Sequence, residues 1–263
     1  MKTIYQDFPH VTQVFFKNQR KYLKKNIVDR VVEAKEFAIQ SLLLPSRVVP
    51  FCWKDEDGNF CEEFLEGKFL REIKFLSDSD IREVAKAIKK VHLVKPDQDI
   101  KNILRMEEVA GGKYRPKAIF RLILSDQRAK FNQVADVAKI EKYITEVGEK
   151  LDKRNYNLAI IHGDLSPNNI VITKEGVRII DWTDARYDIP SADIIQFFYL
   201  SKLSPQQQKT FLSEYRPIWM FDELIRMHEI FLLTYDFIYQ LKQKREDKTR
   251  RLVSSIKRLV ERL

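Results

Sequence analysis

Residues 158–182 read LAIIHGDLSPNNIVITKEGVRIIDW, and the fold follows from how this stretch is read. Leu158 to Ile161 is an apolar run. It feeds a polar loop, His162-Gly163-Asp164-Leu165-Ser166-Pro167-Asn168-Asn169. Ile170-Val171-Ile172 follows as a short strand and Thr173-Lys174-Glu175-Gly176 as a turn. A second strand, Val177 to Ile180, ends on Asp181-Trp182. Short β-branched runs bounded by Asn, Pro and Gly read as strands joined by turns. The spacing predicts that Asp164, Asn169 and Asp181 stand at the strand ends of one small sheet, two carboxylates and one amide close together.

Such a set suits a particular chemistry. Mg²⁺ takes a few protein oxygens and shares its remaining sites with substrate phosphates. Asn169 and Asp181 can supply those oxygens, and Asp164 can accept a proton from an attacking hydroxyl. In phosphoryl transfer by kinases an Asp base lies five residues before a metal-binding Asn, and a second Asp follows a hairpin later. Here Asp164 and Asn169 are five apart and Asp181 follows the hairpin.

HGDLSPNN followed by IDW resembles the aminoglycoside phosphotransferase and choline kinase family, itself similar in fold to the protein kinases. Protein kinases usually carry Arg where Gly163 stands, and Asp-Phe-Gly where Asp181-Trp182 stands, so the chain is similar to the small-molecule branch. The resemblance covers about residues 11–200. It implies an α+β, two-lobed, protein-kinase-like fold. Residues 1–66 would form a small β-rich nucleotide-binding lobe, and residues 67–263 a larger, mostly helical catalytic and acceptor-binding lobe.

Composition is consistent with this. The chain has 263 residues, 44% hydrophobic and 32% charged, as expected of a globular protein with a real core. It holds no apolar run of 18 residues, and its first residues, MKTIYQDFPHVTQ, lack an apolar signal core. Cytoplasm is the expected compartment. The net charge of +9 fits solvated lysine-rich faces or an anionic partner, but no nucleic-acid motif accompanies it and no nucleic acid is expected. Cys52 and Cys61 flank the turn Asp55-Glu56-Asp57-Gly58-Asn59. A disulfide is geometrically open to them, and two free buried thiols are expected.

In chain order, residues 11–25 read as a hairpin: Val14 to Phe16, a turn over Lys17 to Arg20, and Lys21 to Lys25. No glycine-rich phosphate loop precedes it. The resemblance implies a lysine on the return strand that touches nucleotide phosphates. Lys24 is the candidate and Lys25 the alternative, because the two point to opposite faces. A helix is expected from about Val28 to Leu44. The resemblance places on it a glutamate that pairs with the lysine, Glu33, with Glu36 as second choice. Strands are expected on both sides of the acidic turn, Val48 to Trp53 and Phe60 to Leu65. In the resemblance the nucleotide base meets the main chain there, at Glu63 and Leu65. Ser79-Asp80 opens a helix whose apolar face is Ile81, Val84, Ala85, Ile88 and Val91, ending at a structural His92. Residues 93–133, short helical patterns interrupted at Pro96, Gly111-Gly112 and Pro116, have the length of the helical insertion that the resemblance places near the acceptor. A helix over 134–151 follows, and Asn155 and Asn157 lead into the central stretch.

Beyond Trp182, Asp193 matches the family's last aspartate, which braces the catalytic loop, and His162 is expected to brace it as well. Residues 194–240 are rich in aromatics. Most are expected in the core, and a few could form a cation–π cage for a quaternary ammonium. The tail, 241–263, reads as a basic amphipathic helix with Leu252, Val253, Ile256, Leu259, Val260 and Leu263 on its apolar face. It is expected to pack on the protein, with contact to a membrane surface as the alternative.

The reading is therefore a phosphotransferase using ATP (or GTP) and Mg²⁺, with a small-molecule hydroxyl as acceptor: choline or another amino alcohol, a sugar, or an antibiotic. The alternatives are an inactive nucleotide-binding regulator of the same fold, or a kinase acting on a surface glycan or a protein.

Overall fold

The computed structural model describes residues 10–17, 20–27, 29–104, 115–153, 156, 158–216 and 222–263. In chain order they form β1 (His10–Lys17), β2 (Arg20–Ile27), α1 (Arg30–Leu43), β3 (Cys52–Lys54), β4 (Phe60–Glu63), β5 (Gly67–Phe69), α2 (Asp78–Leu93), α3 (Gln98–Leu104), α4 (Pro116–Leu124), α5 (Arg128–Phe131) and α6 (Val137–Asp152). The second half adds β6 (Ala159–Ile161), β7 (Ile170–Thr173), β8 (Gly176–Ile179), β9 (Arg186–Asp188), α7 (Ser191–Ser201), α8 (Pro205–Tyr215), α9 (Asp222–Lys242) and α10 (Glu246–Glu261). Strand dominates the N-terminal region and helix the C-terminal one, so the class is α+β as expected. The expected turn residues Asn18 and Gln19, the helix start at Val28, Gly111-Gly112, and Asn155 and Asn157 lie outside the described residues.

The chain divides into two compact units, Met1–Arg105 with Ala159–Pro217, and Met106–Leu158 with Ile218–Leu263. The first unit holds both the N-terminal strands and the stretch from β6 to Trp182. Residue 66, where the sequence suggests a lobe boundary, falls within it, in the link between β4 and β5.

In the first unit, β1, β2, β4 and β3 form one antiparallel sheet in that order. The chain then enters α1, whose first N–H groups are capped by Asp29: its Oδ1 accepts from Val31 and Val32 at 2.8 and 3.2 Å. Glu33, Glu36, Ile39, Gln40 and Leu43 form the buried stripe of α1, at helical spacing. Strand β3 is shorter than the sequence suggests. Val48 and Val49 are buried but lie outside it, before Pro50, which has no N–H to donate to a ladder.

The pairing also settles the cysteines. Trp53 stands opposite Cys61, and Cys52 opposite Glu62. Neighbouring strand residues face opposite ways, so Cys52 and Cys61 lie on opposite faces, and both are free and buried.

The central stretch forms two small sheets rather than the one expected. Strand β7 pairs with β8 and β5, whereas β6 pairs with β9, Ile161 opposite Arg186. The loop between β6 and β7 thus runs from one sheet to the other. Helix α2 packs against β6, β8 and α8, with Ile81, Val84, Ala85, Ile88 and Val91 buried. Each of the larger side chains contributes about 1.5–3 kcal/mol relative to exposure. Its N-cap is Ser77, two residues before the expected start. Ser77 Oγ accepts from the Asp80 N–H and Asp80 Oδ2 from the Ser77 N–H, at 3.2 and 3.0 Å.

The second unit is built from α4, α5, α6, α9 and α10. The rings of Phe120, Phe131, Phe231 and Phe237 meet in its core. The expected tail helix over 241–263 is α10, Glu246–Glu261, set off from the end of α9 by Lys244, whose φ is a left-handed 55°. Helix α10 buries Leu252, Ile256, Leu259 and Val260 and packs on α9, and Lys139 Nζ donates to the Val260 carbonyl at 2.8 Å. The apolar face of the basic tail is therefore spent on the protein's own core. Among the described residues no helix is long and apolar enough to cross a membrane.

Candidate active site

The loop from His162 to Asn169 is held by hydrogen bonds at almost every residue. Asn169 Nδ2 donates to both the carbonyl oxygen and Oδ2 of Asp164, at 2.9 and 3.0 Å. Ser166 N–H closes onto the Asp164 carbonyl at 2.9 Å, and Asn169 N–H onto the Ser166 carbonyl at 3.0 Å. Leu165 N–H donates to Gln196 Oε1 at 2.8 Å. Arg71 holds the far side, its N–H on the Pro167 carbonyl and its guanidinium on Asn168 Oδ1, both at 3.2 Å. Burial pushes the Asp164 carboxyl above the usual aspartate range. Asp184 and Asp181 add to this, and the Asn169 hydrogen bond opposes it.

Gly163 stands where protein kinases carry arginine, and the geometry explains the exchange. Its φ is +82°, and a Cβ there would lie 2.2 Å from the Asp184 carbonyl oxygen. Only glycine meets both demands.

Asp193 braces the loop, as the resemblance implies. Its Oδ2 accepts from the His162 N–H at 2.7 Å and its Oδ1 from the Gly163 N–H at 3.0 Å. His92 Nε2 lies 3.2 Å from the same Oδ2, and its other nitrogen is bonded to the Tyr215 hydroxyl at 2.7 Å. Burial opposes the charge on Asp193, but the bonds from His92 and His162 outweigh it and hold its pKa below the ordinary range. His162 is buried. Its Nε2 donates to the Ile180 carbonyl at 2.9 Å and its Nδ1 accepts from the Asp164 N–H at 3.2 Å, so the ring ties Asp164 to the end of β8. His92 and His162 are thus structural, as expected.

Asp181 lies just past β8 with a left-handed φ of 65°, and its side chain is exposed. The Thr183 hydroxyl donates to its Oδ1 at 2.9 Å. The left-handed turn separates Asp181 from Trp182, whose ring is fully buried against His162, centroids 4.7 Å apart. Asp tolerates this conformation better than most residues.

The ion pair on the N-terminal sheet differs from the first choice. Lys24 turns to the face away from α1 and bonds Asp55 at 3.1 Å. Glu33 is buried in the first turn of α1 and pairs with Arg30 at 3.1 Å. Lys25 faces α1 instead. It pairs with Glu36, one turn further along the helix, and lies 3.5 Å from Glu62 on β4. The expected pair of Lys24 with Glu33 is therefore not formed. Only alternate residues of β2 face the helix, and Glu33 lies too near the end of that strand for the chain to turn back onto it. Burial works against the charge on Lys25, yet Glu36 and Glu62 outweigh it and hold its pKa above the ordinary lysine range. Burial pushes Glu62 up. Gln40 Nε2 donates to Glu62 Oε2 at 3.1 Å. Glu36 Oε1 also accepts the Trp182 N–H at 3.2 Å, so the pair is joined to the residue after Asp181.

Glu63 and Leu65 occupy the end of β4 and the link to β5. The Glu63 N–H is given to the Phe51 carbonyl at 2.8 Å. The sequence alone does not single out Glu62 or Asp184. A glutamate inside the apolar stripe Glu36-Ile39-Gln40-Leu43 was a readable signal, because a charge on a buried face needs a partner.

The donor set suits Mg²⁺. Asn169 gives both N–H bonds to Asp164, which turns its amide oxygen away from that residue. Asp181 adds an exposed carboxylate. Among the described residues no group of three or more His, Cys, Asp or Glu could hold a metal by itself. An ion shared with substrate phosphates needs only one or two protein oxygens. Most described aromatics of residues 194–240 are core: Phe197, Phe198, Phe211 and Tyr215 pack together in the first unit, and Phe231 and Phe237 in the second. Trp219 and Phe221 lie outside the described residues.

Loop, hairpin and buried lysine–glutamate pair are arranged as in a phosphotransferase of the protein-kinase-like fold. The chain belongs to the phosphotransferase enzyme family, whose model matches residues 44–224. A solved spectinomycin phosphotransferase, in complex with ADP and spectinomycin, is similar over 99% of this chain and 91% of its own, at 15% identity and a TM-score of 0.65. A choline kinase from Streptococcus pneumoniae is similar over 97% and 90%, at 14% identity and a TM-score of 0.65. A choline/ethanolamine kinase family protein from Mesorhizobium loti is similar over 99% and 87%, at 17% identity and a TM-score of 0.64. No curated protein matches the sequence.

Proposed function

We propose that the enzyme moves the terminal phosphoryl group of a nucleoside triphosphate, ATP or GTP, to a hydroxyl of a small molecule. Choline or another amino alcohol, a sugar, and an antibiotic are the acceptor classes. The observation that carries the reading is the double hydrogen bond from Asn169 to Asp164, which fixes a carboxylate base beside an amide oxygen. The pull on the cell's nucleoside triphosphate makes the cytoplasm the natural compartment.

In this reading Asp164 orients the acceptor hydroxyl and takes its proton as the new P–O bond forms and the bond to the leaving diphosphate breaks. Its raised pKa brings it nearer that task. Asn169 and Asp181 would hold Mg²⁺, which when bound neutralises charge on the phosphates. Lys25, fixed by Glu36 and Glu62, takes the role of the phosphate-contacting lysine in place of Lys24. The main chain of Glu63 and Leu65 would receive the nucleotide base, at the boundary between a nucleotide-binding region up to residue 66 and a catalytic region beyond it. Catalysis rests on positioning and charge neutralisation rather than on a covalent enzyme intermediate.

The test is transfer of label from γ-labelled ATP to candidate acceptors. Label moving to one acceptor with the wild type and not with Asp181→Ala supports the reading. Equal labelling by both proteins contradicts it.

A further inference from the structure

The last helix and its lead-in carry most of the chain's excess charge. Residues 241–263 hold nine Lys and Arg against three carboxylates, +6 of the net +9. On α10, Lys248, Arg251, Arg258 and Arg262 recur at helical spacing, with Ser255 in the middle gap, so they form one row along one face. All four are exposed. At 1.5 Å per residue the row is about 21 Å long. The surrounding carboxylates do not cancel it. Glu246 and Asp247 lie in the first turn of α10, and Asp247 is taken by Arg250 at 2.9 Å. Glu261, the third carboxylate of the tail, stands at the opposite end of the helix. On α9, which packs along α10, Glu229 lies near Arg262 but also near Arg226, two cations to one carboxylate. Asp236 of α9 accepts the Gln240 amide at 2.8 Å, and Glu141 of α6 is engaged by Arg121 and Arg128. Arg226 donates to the Arg262 carbonyl at 3.4 Å and Lys139 of α6 to the Val260 carbonyl, so both neighbouring helices bring cations to α10. Among the described residues, Lys248, Arg251 and Arg258 form no ion pair.

We propose that this row, Lys248, Arg251, Arg258 and Arg262, is a contact site for an anionic lipid surface. The contact is electrostatic, without insertion, because Leu252, Ile256, Leu259 and Val260 are already buried in the protein. A row of cations on one convex helix face meets a plane of headgroup phosphates along its whole length, whereas the phosphates of a nucleic-acid duplex curve away from it. Residues 241–263 also hold no aromatic side chain on which an unpaired base could stack. Each Lys or Arg close to an anionic membrane surface contributes about fivefold to partition, so four in a row suffice for reversible binding at low salt. The site lies on α10, apart from the residues assigned to phosphotransfer, and its test does not depend on turnover.

The experiment is sedimentation of the full chain with vesicles of equal parts phosphatidylcholine and phosphatidylglycerol, and with vesicles of phosphatidylcholine alone. Binding is expected to the first and not to the second, and to fall about tenfold as ionic strength rises from about 0.05 M to about 0.3 M. The double variant Arg251→Gln, Arg258→Gln should lose about twenty-five-fold in partition. A control with the same loss of net charge, Lys86→Gln with Lys90→Gln on α2, should stay within about twofold of the wild type. All four substituted side chains are exposed, so both variants should unfold close to the wild-type temperature. Anionic vesicles bound no better than neutral ones overturn the proposal. So does an equal loss in the two double variants, which would assign the binding to overall charge. Tighter binding to duplex DNA or RNA than to the anionic vesicles, at equal phosphate concentration, would overturn it in favour of a nucleic acid.

Discussion

Trp182 donates its backbone N–H to Glu36 at 3.2 Å, across 146 residues of sequence, onto the oxygen that also receives Lys25. One carboxylate thus joins the lysine of β2 to the residue after Asp181, the proposed metal ligand. The position of α1 and the geometry of the catalytic segment are set together.

The two neighbouring lysines should therefore behave very differently. Lys25→Met leaves Glu36 and Glu62 buried without their cation and is expected to cost about 3–5 kcal/mol of stability. Lys24→Met breaks only the half-exposed bond to Asp55 and is expected to cost far less. Urea unfolding of the two variants checks this. Nucleotide affinity should follow the same order, and a reversed order would return the role to Lys24.

The pH dependence of turnover should carry the mark of Asp164. The folded pKa of this group is raised, chiefly by burial, and a protonated carboxyl cannot take the acceptor's proton. The acid limb of kcat/KM is thus expected above the ordinary aspartate value of about 4. Asn169→Ala removes a bond that lowers this pKa and should move that limb higher. An acid limb at or below the ordinary value would count against Asp164 as the base.

Gly163→Ala should harm both stability and catalysis. The left-handed backbone and the 2.2 Å approach to the Asp184 carbonyl leave no room for a methyl group. A loss of about 2 kcal/mol is expected in thermal or urea unfolding. A larger relative loss is expected in kcat, because the shift falls one residue from Asp164. A variant as active as the wild type would show that the loop tolerates a different path.

Much of this could be read before any coordinates. The turn residues around two β-branched runs placed the hairpin β7–β8, and the loop spacing placed Asp164, Asn169 and Asp181. The pairing of β6 with β9 could not be read so directly, because it joins residues some 25 apart through no local pattern, in roughly the way loop closure allows many alternatives. The choices of Lys25 over Lys24 and Glu36 over Glu33 turn on strand register and helix phase. Neighbouring identical residues leave both undetermined. The cap of α2 is legible but ambiguous by two residues, since Ser79 offers the same chemistry as Ser77.

Asp193 predicts how stability depends on pH. Its folded pKa lies below the unfolded one, so its contribution is present above the unfolded value and is lost as pH falls through the folded one. Asp193→Asn should lower stability near neutrality and flatten the decline on acidification between those two values. Denaturant titrations from neutral to acidic pH measure both effects. An unchanged slope would mean that the charge of Asp193 contributes little to holding the loop.

The central claim is Asp164-dependent phosphoryl transfer to a small hydroxyl compound. Its most direct test is ADP release with Mg-ATP across choline, ethanolamine, aminoglycosides, neutral sugars and sugar acids, run side by side with wild type and Asp164→Asn. The account predicts that at least one acceptor raises ADP release in the wild type, and that the variant loses that increase while still binding nucleotide. An acceptor-stimulated rate that survives Asp164→Asn would contradict it.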